Sequence, residues 1–495
     1  MEMDAPSEAA WKPGFLLTQE WQDTPGGCVG TFWGCGPDGP FELRVPLRPV
    51  CFVPRGTVLP EGAPIAERRA LNLQSFDRHP VDALYFSRQR DLRTLRDSLH
   101  AAGIPVYEGD LAPTERHLME RFVHGSCEYD GVLRRDGTGI TTCVNPRLRR
   151  GEFVPRLSLM SFDIETGSAH QLYAIGYHFT DGDREERQVF MACTGRRRAD
   201  PPVTFCGDTA GALKAFFAAI LRLDPDVLAG WNILDFDLPF LQESCDQNGL
   251  ALALGRRGLP ARLNLNENAG HWHVLAPGRV IVDGIPALRG SFVHFESYSL
   301  DAVARTLLGQ GKAIDFAGRD TQGEIDRLFR EDKTALARYN LRDAELVTGI
   351  FAKTGLIDLL VGRSRISGLL MERLGRSVAA FDHFYLPRLH RKGFVAPDRD
   401  RAEAPEAQSG GLVLPSQAGL HMHVAAFDFR SLYPSIIRTF HICPYAGVMA
   451  GDHPLRTPTG ACFSETEHIL PDYVAELMAV RARAQTENQI GRAHV

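Results

Sequence analysis

The first 150 residues alternate between apolar and polar positions in the manner of β-strands. Val29, Phe32 and Trp33 precede a turn rich in Gly, Pro and Asp at residues 34–39, and alternation resumes with Phe41 and Leu43. Alternating residues on both sides of such a turn predict a β-hairpin. Because helical periodicity is confined mainly to 89–102, we expect residues 1–150 to form a β-rich N-terminal domain.

The pattern then changes to short apolar runs that alternate with amphipathic stretches. Strands are predicted over 157–162, 172–179, 188–193, 227–231 and 280–283, and helices over 210–223, 236–248, 299–309 and 333–352. Strands followed by flanking helices imply an α/β layer domain, which we place at 151–365. A helical connector at 366–408 and a further domain at 409–489 follow, the latter with a buried strand at 424–427. The predicted fold class is therefore α/β and multidomain.

Size and composition narrow the class of protein. A chain of 495 residues suggests roughly three domains, and 44% hydrophobic residues suffice for globular cores. The sequence shows neither a run of ~18 apolar residues nor a secretory signal. Its ten cysteines form no Cys-x-x-Cys pair, so we expect reduced thiols, a cytoplasmic location and no membrane association.

The net charge of −6 does not by itself favour nucleic-acid binding. Basic residues nevertheless cluster at 147–150, 196–198 and 388–392. Such clusters are most often solvated loops or helix faces, so their meaning stays open at this point.

Three acidic motifs in the α/β segment indicate metal chemistry. Asp163 and Glu165 lie two apart at a strand end and point the same way. Asp237 begins a helix, and Tyr339 and Asp343 lie four apart on another. Each motif alone has an ordinary explanation, such as a strand end, a helix cap or a helix face. Together they supply four carboxylates and a phenol, which suit two Mg²⁺ or Mn²⁺ ions about 4 Å apart that act on a phosphodiester, with Tyr339 orienting a water.

This set resembles the three exonuclease motifs of 3′→5′ proofreading domains with a ribonuclease-H-like fold. The resemblance implies roles for the matching residues. The metal ligands would be Asp163, Glu165, Asp237 and Asp343. Tyr339 would align the attacking nucleophile. Asn232 and Phe236 would contact the substrate strand.

A fourth motif at 428–435 resembles motif A of family B DNA polymerases. It implies that Asp428 binds both catalytic magnesium ions and that the backbone at Ser431 and Leu432 holds the incoming triphosphate. Tyr433 would stack under the sugar and exclude a 2′-hydroxyl. The pair Gly410 and Gly411 resembles a double-glycine element that contacts template backbone, although a plain turn explains it equally well. The similarity extends to residue 489, and several short segments resemble the DNA polymerase II branch.

The resemblance also implies partners: primer–template DNA, single-stranded 3′ ends, deoxynucleoside triphosphates and a sliding clamp bound through a C-terminal tail. It implies a cytoplasmic, nucleoid-associated location. The family's second metal-binding carboxylate pair and its triphosphate-gripping helix have no counterpart here. Residues 490–495 match what a common sequencing adaptor encodes in one reading frame. We therefore expect a truncated gene whose product has a partial palm and the start of the fingers at 409–489. We expect such a fragment to digest DNA without incorporating nucleotides.

Two other interpretations remain open at the level of sequence. One is a stand-alone metal-dependent 3′→5′ exonuclease with accessory domains, for which Tyr433 would have no use. The other is a non-catalytic DNA-binding or scaffold protein that kept the fold. A scaffold would be expected to lose metal carboxylates, and all four exonuclease acids are present.

Overall fold

The computed structural model describes residues 11–195, 198–199, 201–266, 271–291, 293–313, 320–399, 414–429 and 431–486. Gly410, Gly411, the end of the connector and the 490–495 tail lie outside these residues. So do the side chains of the basic cluster at 196–198. The predictions for these segments therefore stay predictions.

The N-terminal region is β-rich, as predicted. Its seven-stranded sheet has the order β10-β7-β1-β2-β3-β9-β8, formed by β1 (Lys12–Thr24), β2 (Gly27–Gly36), β3 (Gly39–Leu47), β7 (Ser126–Asp130), β8 (Leu133–Arg135), β9 (Thr141–Val144) and β10 (Arg147–Arg150). The predicted hairpin joins β2 to β3, with Gly36 paired to Gly39. A smaller sheet has the order β4-β6-β5, from β4 (Val50–Pro54), β5 (Glu67–Gln74) and β6 (Pro80–Tyr85). Helices α1 (Gln89–Ala101) and α2 (Pro113–Met119) complete the region.

The next region is the predicted α/β layer. Its sheet has the order β14-β15-β13-β12-β11-β16-β19, from β11 (Leu159–Thr166), β12 (Leu172–Asp181), β13 (Arg184–Met191), β14 (Arg198–Ala199), β15 (Pro202–Phe205), β16 (Val227–Gly230) and β19 (Val280–Asp283). A hairpin of β17 (Arg262–Asn266) and β18 (His271–Leu275) projects from it. The helices are α3 (Thr209–Leu223), α4 (Asp237–Gln247), α5 (Gly284–Arg289), α6 (Leu300–Leu308), α7 (Thr321–Glu331) and α8 (Lys333–Thr354).

Alternation along β11 determines which side chains face which helix. Met160, Phe162 and Ile164 enter the core that α3 and α4 cover. Residues of the other parity face α8, where Ser161 Oγ donates to the Ala344 carbonyl over 2.7 Å. Because Asp163 and Glu165 share this parity, the strand directs both carboxylates towards α8. The strand also runs further than predicted, through both acids to Thr166.

The C-terminal region is mostly helical. It contains α9 (Leu356–Ser367), α10 (Ser377–Arg391), α11 (Leu432–Phe440), α12 (Pro444–Val448) and α13 (Leu470–Thr486), with a small hairpin of β20 (Leu455–Arg456) and β21 (Cys462–Phe463). Helix α9 ends at Gly368, whose φ of 78° forms a left-handed turn that favours glycine.

The buried strand predicted at 424–427 is wrong. This segment has no regular structure, and the exposed fractions of Val424 and Phe427 are 74% and 95%. A strand is stabilised by hydrogen bonds to its neighbours, and none of the strands in the described ranges pairs with this segment. Asp428 therefore follows an exposed extended segment rather than a sheet strand.

Candidate active sites

Three of the predicted acids meet between β11 and α8. One carboxylate oxygen from each of Asp163, Glu165 and Asp343 lies within 4.8 Å of the others. The two-residue period of β11 supplies the first two, and α8 brings the third across from the opposite side. Among the described residues, this is the one group of three such side chains at that spacing. The structure therefore brings acids of the first and third motifs together.

Asn340 fixes the position of Asp163. Its Nδ2 donates to the Asp163 main-chain oxygen over 3.0 Å and to Oδ2 over 2.9 Å. The Asn340 side chain lies directly over Gly176, the partner of Asp163 on β12, where a Cβ would stand 2.5 Å from Asn340 Oδ1. Gly176 is thus the residue that allows this close approach. The sequence analysis quoted Asn340 within the third motif but gave it no role.

Asp237 lies beside the cluster rather than within it. It begins α4, is buried, and its Oδ1 accepts a hydrogen bond from the Ile164 amide over 3.2 Å. Burial raises the pKa of Asp237 to about 7, against hydrogen bonds from the backbone that lower it. Asp237 thus joins the α4 start to β11 between the two acids of the first motif.

Asp283, which the sequence analysis did not single out, organises the loop of the second motif. Its carboxylate accepts hydrogen bonds from the amides of Asn232 and Leu234, each over 3.1 Å. Asn232 has a φ of 65°, so the loop turns sharply after β16 and leaves the Asn232 and Phe236 side chains exposed. They remain free to meet a substrate strand, but they contact none of the clustered acids among the hydrogen bonds described.

Lys312 is the main site residue that the sequence analysis missed. Its Nζ donates to Asp343 Oδ2 over 2.6 Å and to the Tyr339 hydroxyl over 3.1 Å. The lysine follows a glycine-rich loop 31 residues before Asp343, and its spacing carries no periodic signal. Only the packing of α6 and its following loop against α8 brings it to the site.

The electrostatics of the cluster favour divalent cations. Burial, followed by the charge of Asp343, raises the pKa of both Asp163 and Glu165 well above their usual range. Burial also raises the pKa of Asp343, although Lys312 opposes this. Asp343 Oδ1 is buried and has no hydrogen-bond partner among the described residues. Several hard oxygen donors that repel one another, one of them without a partner, fit magnesium or manganese.

Motif A occupies a separate, open groove. Asp428, Ser431 and Arg481 line this groove between α11 and α13, which has a volume of about 1030 Å³. Arg481 Nη1 donates to Ser431 Oγ over 3.5 Å. Leu432 and Tyr433 are 41% and 78% exposed. Within the described ranges Asp428 is not joined by two further potential ligands, so the predicted polymerase residues lie near one another without forming a metal cluster.

Two regions of the chain match known protein families. Residues 104–303 match the exonuclease domain of DNA polymerase family B, and residues 375–486 match DNA polymerase family B itself. The chain belongs to the family B DNA polymerases. The first match contains Asp163, Glu165 and Asp237, and the second contains Asp428 and Tyr433. A stand-alone nuclease would not require the second match, so the polymerase interpretation is supported over that alternative.

Individual family B relatives cover most of the chain. It is 39% identical to DNA polymerase II of Escherichia coli (strain K12) over 96% of its own length and 61% of the relative's. It is 27% identical to a DNA polymerase of Thermococcus gorgonarius over 73% of its length and 44% of the relative's. The chain therefore spans 44% to 61% of the length of these relatives.

A solved family B structure shares the fold. The polymerase of Pyrobaculum calidifontis superposes with a TM-score of 0.71 at 23% identity, covering 96% of this chain and 64% of the other. At that identity the likeness concerns the fold. No helix in the part of the chain that the structure describes is both long and apolar enough to cross a membrane.

Proposed function

We propose that this chain carries the editing activity of a DNA-directed DNA polymerase, removing nucleotides from single-stranded 3′ ends. The observation that carries the proposal is the group of half-buried Asp163 with buried Glu165 and Asp343, whose ligand oxygens lie within 4.8 Å of one another. Asp237 adjoins them through Ile164. We propose that these four acids hold two divalent ions, Mg²⁺ or Mn²⁺. When bound, such ions would lower the pKa of an attacking water and stabilise the departing 3′ oxygen.

The residues around the acids would position the water, the phosphate and the terminal nucleotide. The Tyr339 hydroxyl, held by Lys312, would orient the attacking water towards the phosphorus atom. The ammonium group of Lys312 would offset negative charge that grows on the phosphate. The exposed Asn232 and Phe236 would hold the terminal nucleotide against the cluster. Asn340 would keep Asp163 in one orientation throughout.

We also propose that the chain contributes part of a nucleotide-adding site to the whole protein. Asp428 would bind catalytic magnesium, Ser431 and Leu432 would contact the triphosphate of a deoxynucleoside triphosphate, and Tyr433 would exclude a 2′-hydroxyl. Gly410 and Gly411 would contact primer–template DNA. A sliding clamp would be a further partner, and the protein would act in the cytoplasm at the nucleoid. The matching positions of motif A support this second proposal, together with the family match over residues 375–486.

Digestion of a 5′-labelled single-stranded oligonucleotide tests the nuclease. We expect stepwise shortening from the 3′ end that requires Mg²⁺ or Mn²⁺, and loss of digestion in the variant Asp163→Ala with Glu165→Ala. The matched control is Asp181→Ala with Asp183→Ala, which removes two exposed acids with the same spacing from the end of β12 and the turn that follows it. Equal digestion by the two double variants would refute the assignment.

A further inference from the structure

Two basic clusters that lie far apart in the sequence meet on one surface. Arg388 and Arg391 of α10 stack over the Phe122 ring, with guanidinium carbons 5.3 and 4.2 Å from its centroid. Arg150, at the end of β10, pairs with Cys127 of β7, and His124, just before this strand, contacts His383 of α10 with ring centroids 5.3 Å apart. Arg365 of α9 donates from Nε to the Ser126 hydroxyl, next to Cys127, over 3.2 Å. We call Phe122, Arg150, Arg365, Arg388 and Arg391 the arginine surface.

Carboxylates neutralise this surface only in part. Glu152, whose side chain is 72% exposed, lies 3.3 Å from both Arg150 and Arg365 and is therefore shared. Neither Arg388 nor Arg391 has a carboxylate within 4 Å among the described residues; Glu476, beyond that distance, borders the same pocket, and its charge acts to raise the pKa of Arg388, which burial lowers. Repulsion between neighbouring guanidinium groups costs free energy that a bound anion would recover.

Aromatic stacking holds these guanidinium groups in place. Arg388 lies 4.0 Å from the Phe384 ring centroid and donates to the Phe384 carbonyl over 2.7 Å. By contrast, Arg149 of the same cluster as Arg150 is paired with Glu128 at 2.6 Å. In the cluster at 147–150, Arg147 and Arg149 thus each have a carboxylate of their own, whereas Arg150 shares Glu152 with Arg365. Stacked arginines keep their planar donors oriented and suit phosphate recognition.

We propose that the arginine surface binds the phosphate backbone of a single-stranded segment of the DNA substrate. The proposal rests on the proposed function. The surface joins the N-terminal region to α9 and α10, and Phe384 stacks on Tyr473 of α13 at 3.7 Å. Tyr473 and the groove residue Arg481 share α13, about 12 Å apart along the helix axis. Basic groups interleaved with aromatic rings are typical of sites that follow an unpaired strand.

The test measures DNA binding without metal, so that nuclease chemistry plays no part. The probe is a fluorescent 12-nucleotide oligothymidine, titrated in EDTA at 50 and 200 mM salt, with a 12-base-pair duplex alongside. The test variant is Arg150→Gln, Arg388→Gln and Arg391→Gln. The matched control is Arg48→Gln, Arg69→Gln and Arg93→Gln, which removes three exposed arginines that also stack on aromatic rings. Thermal unfolding checks that all variants fold, and Arg150→Gln with Arg391→Gln serves if Arg388 is needed for stability.

We expect the test variant to show a weaker salt dependence on the single strand than the wild type. Three phosphate contacts contribute about 2 to the slope of log affinity against log salt, so the wild type should lose about sixteen-fold more affinity than the variant over this range. Binding equal to the control would overturn the proposal, and an equal loss on the duplex would overturn the single-strand assignment. Digestion of a dinucleotide, too short to span the surface, reports separately on the proposed nuclease site.

Discussion

Gly176→Ala offers a sharp test of how the nuclease site is built, because Gly176 has no side chain and supplies no metal ligand itself. The added Cβ would stand 2.5 Å from Asn340 Oδ1 and 2.9 Å from its Cγ. An ordinary carbon contact needs roughly 3.5 Å, so Asn340 or α8 has to move by about 1 Å. Asn340 donates to Asp163 and Asp343 lies on α8, so this movement separates the clustered acids. We expect overpacking to lower the free energy of unfolding by about 1–3 kcal/mol.

The larger effect should be on catalysis. A displacement of about 1 Å in a positioned group can cost about 100-fold in rate, so we expect a loss of that order in single-turnover digestion of a single strand. Circular dichroism and thermal unfolding would show that the variant is folded. The double variant Gly176→Ala with Asn340→Ala should be no slower than Asn340→Ala alone, because the clash has been removed. A folded Gly176→Ala protein that digests DNA within three-fold of the wild-type rate would refute this reasoning.

Two further predictions concern charge. Lys312→Met should slow digestion by about 100-fold, because the cation beside Asp343 and Tyr339 is lost. The Mg²⁺ concentration for half-maximal rate should not rise. A rate within three-fold of wild type, or a raised Mg²⁺ requirement, would contradict this prediction. Burial lowers the pKa of His117 and His383 to about 3 and that of His124 to about 4, from 6.5. As the pH falls, these histidines are protonated in the unfolded chain before they are protonated in the folded protein. The free energy of unfolding should therefore be unaffected above pH 6.5 and fall as the pH drops towards 4, by about 2 kcal/mol per histidine at pH 5. Denaturant unfolding at pH 7.5, 6 and 5 would measure this loss of stability. We expect the free energy of unfolding to decline less steeply with falling pH in His383→Gln than in the exposed control His170→Gln. Equal declines in the two variants would count against the burial argument.

The sequence predicted most of the elements that position the nuclease site. Period-two alternation predicted β11 and the shared direction of Asp163 and Glu165, since side-chain parity is a local property of a strand. The Ser299 cap and Gly309 stop of α6 were likewise readable, and Ser299 Oγ accepts the Ala302 amide over 3.3 Å. The prediction of a strand at 424–427 was wrong because a strand also depends on hydrogen bonds to neighbouring strands. The residues of the segment itself do not reveal whether a neighbouring strand will pair with it.

The sequence by itself determined the residue types and the family: four acids, a tyrosine and motif A, at spacings that local periodicity assigns to a strand and two helices. Only the tertiary structure decided how these pieces meet. It brought Lys312 into hydrogen-bonding distance of Asp343 and packed Asn340 against Gly176. It also joined Asp283 to the amides of the second motif and brought Arg150 close to Arg388. The physical reason is that strand and helix periods fix the direction of a side chain within its own element, whereas contacts across 31 to 238 positions depend on how whole elements pack.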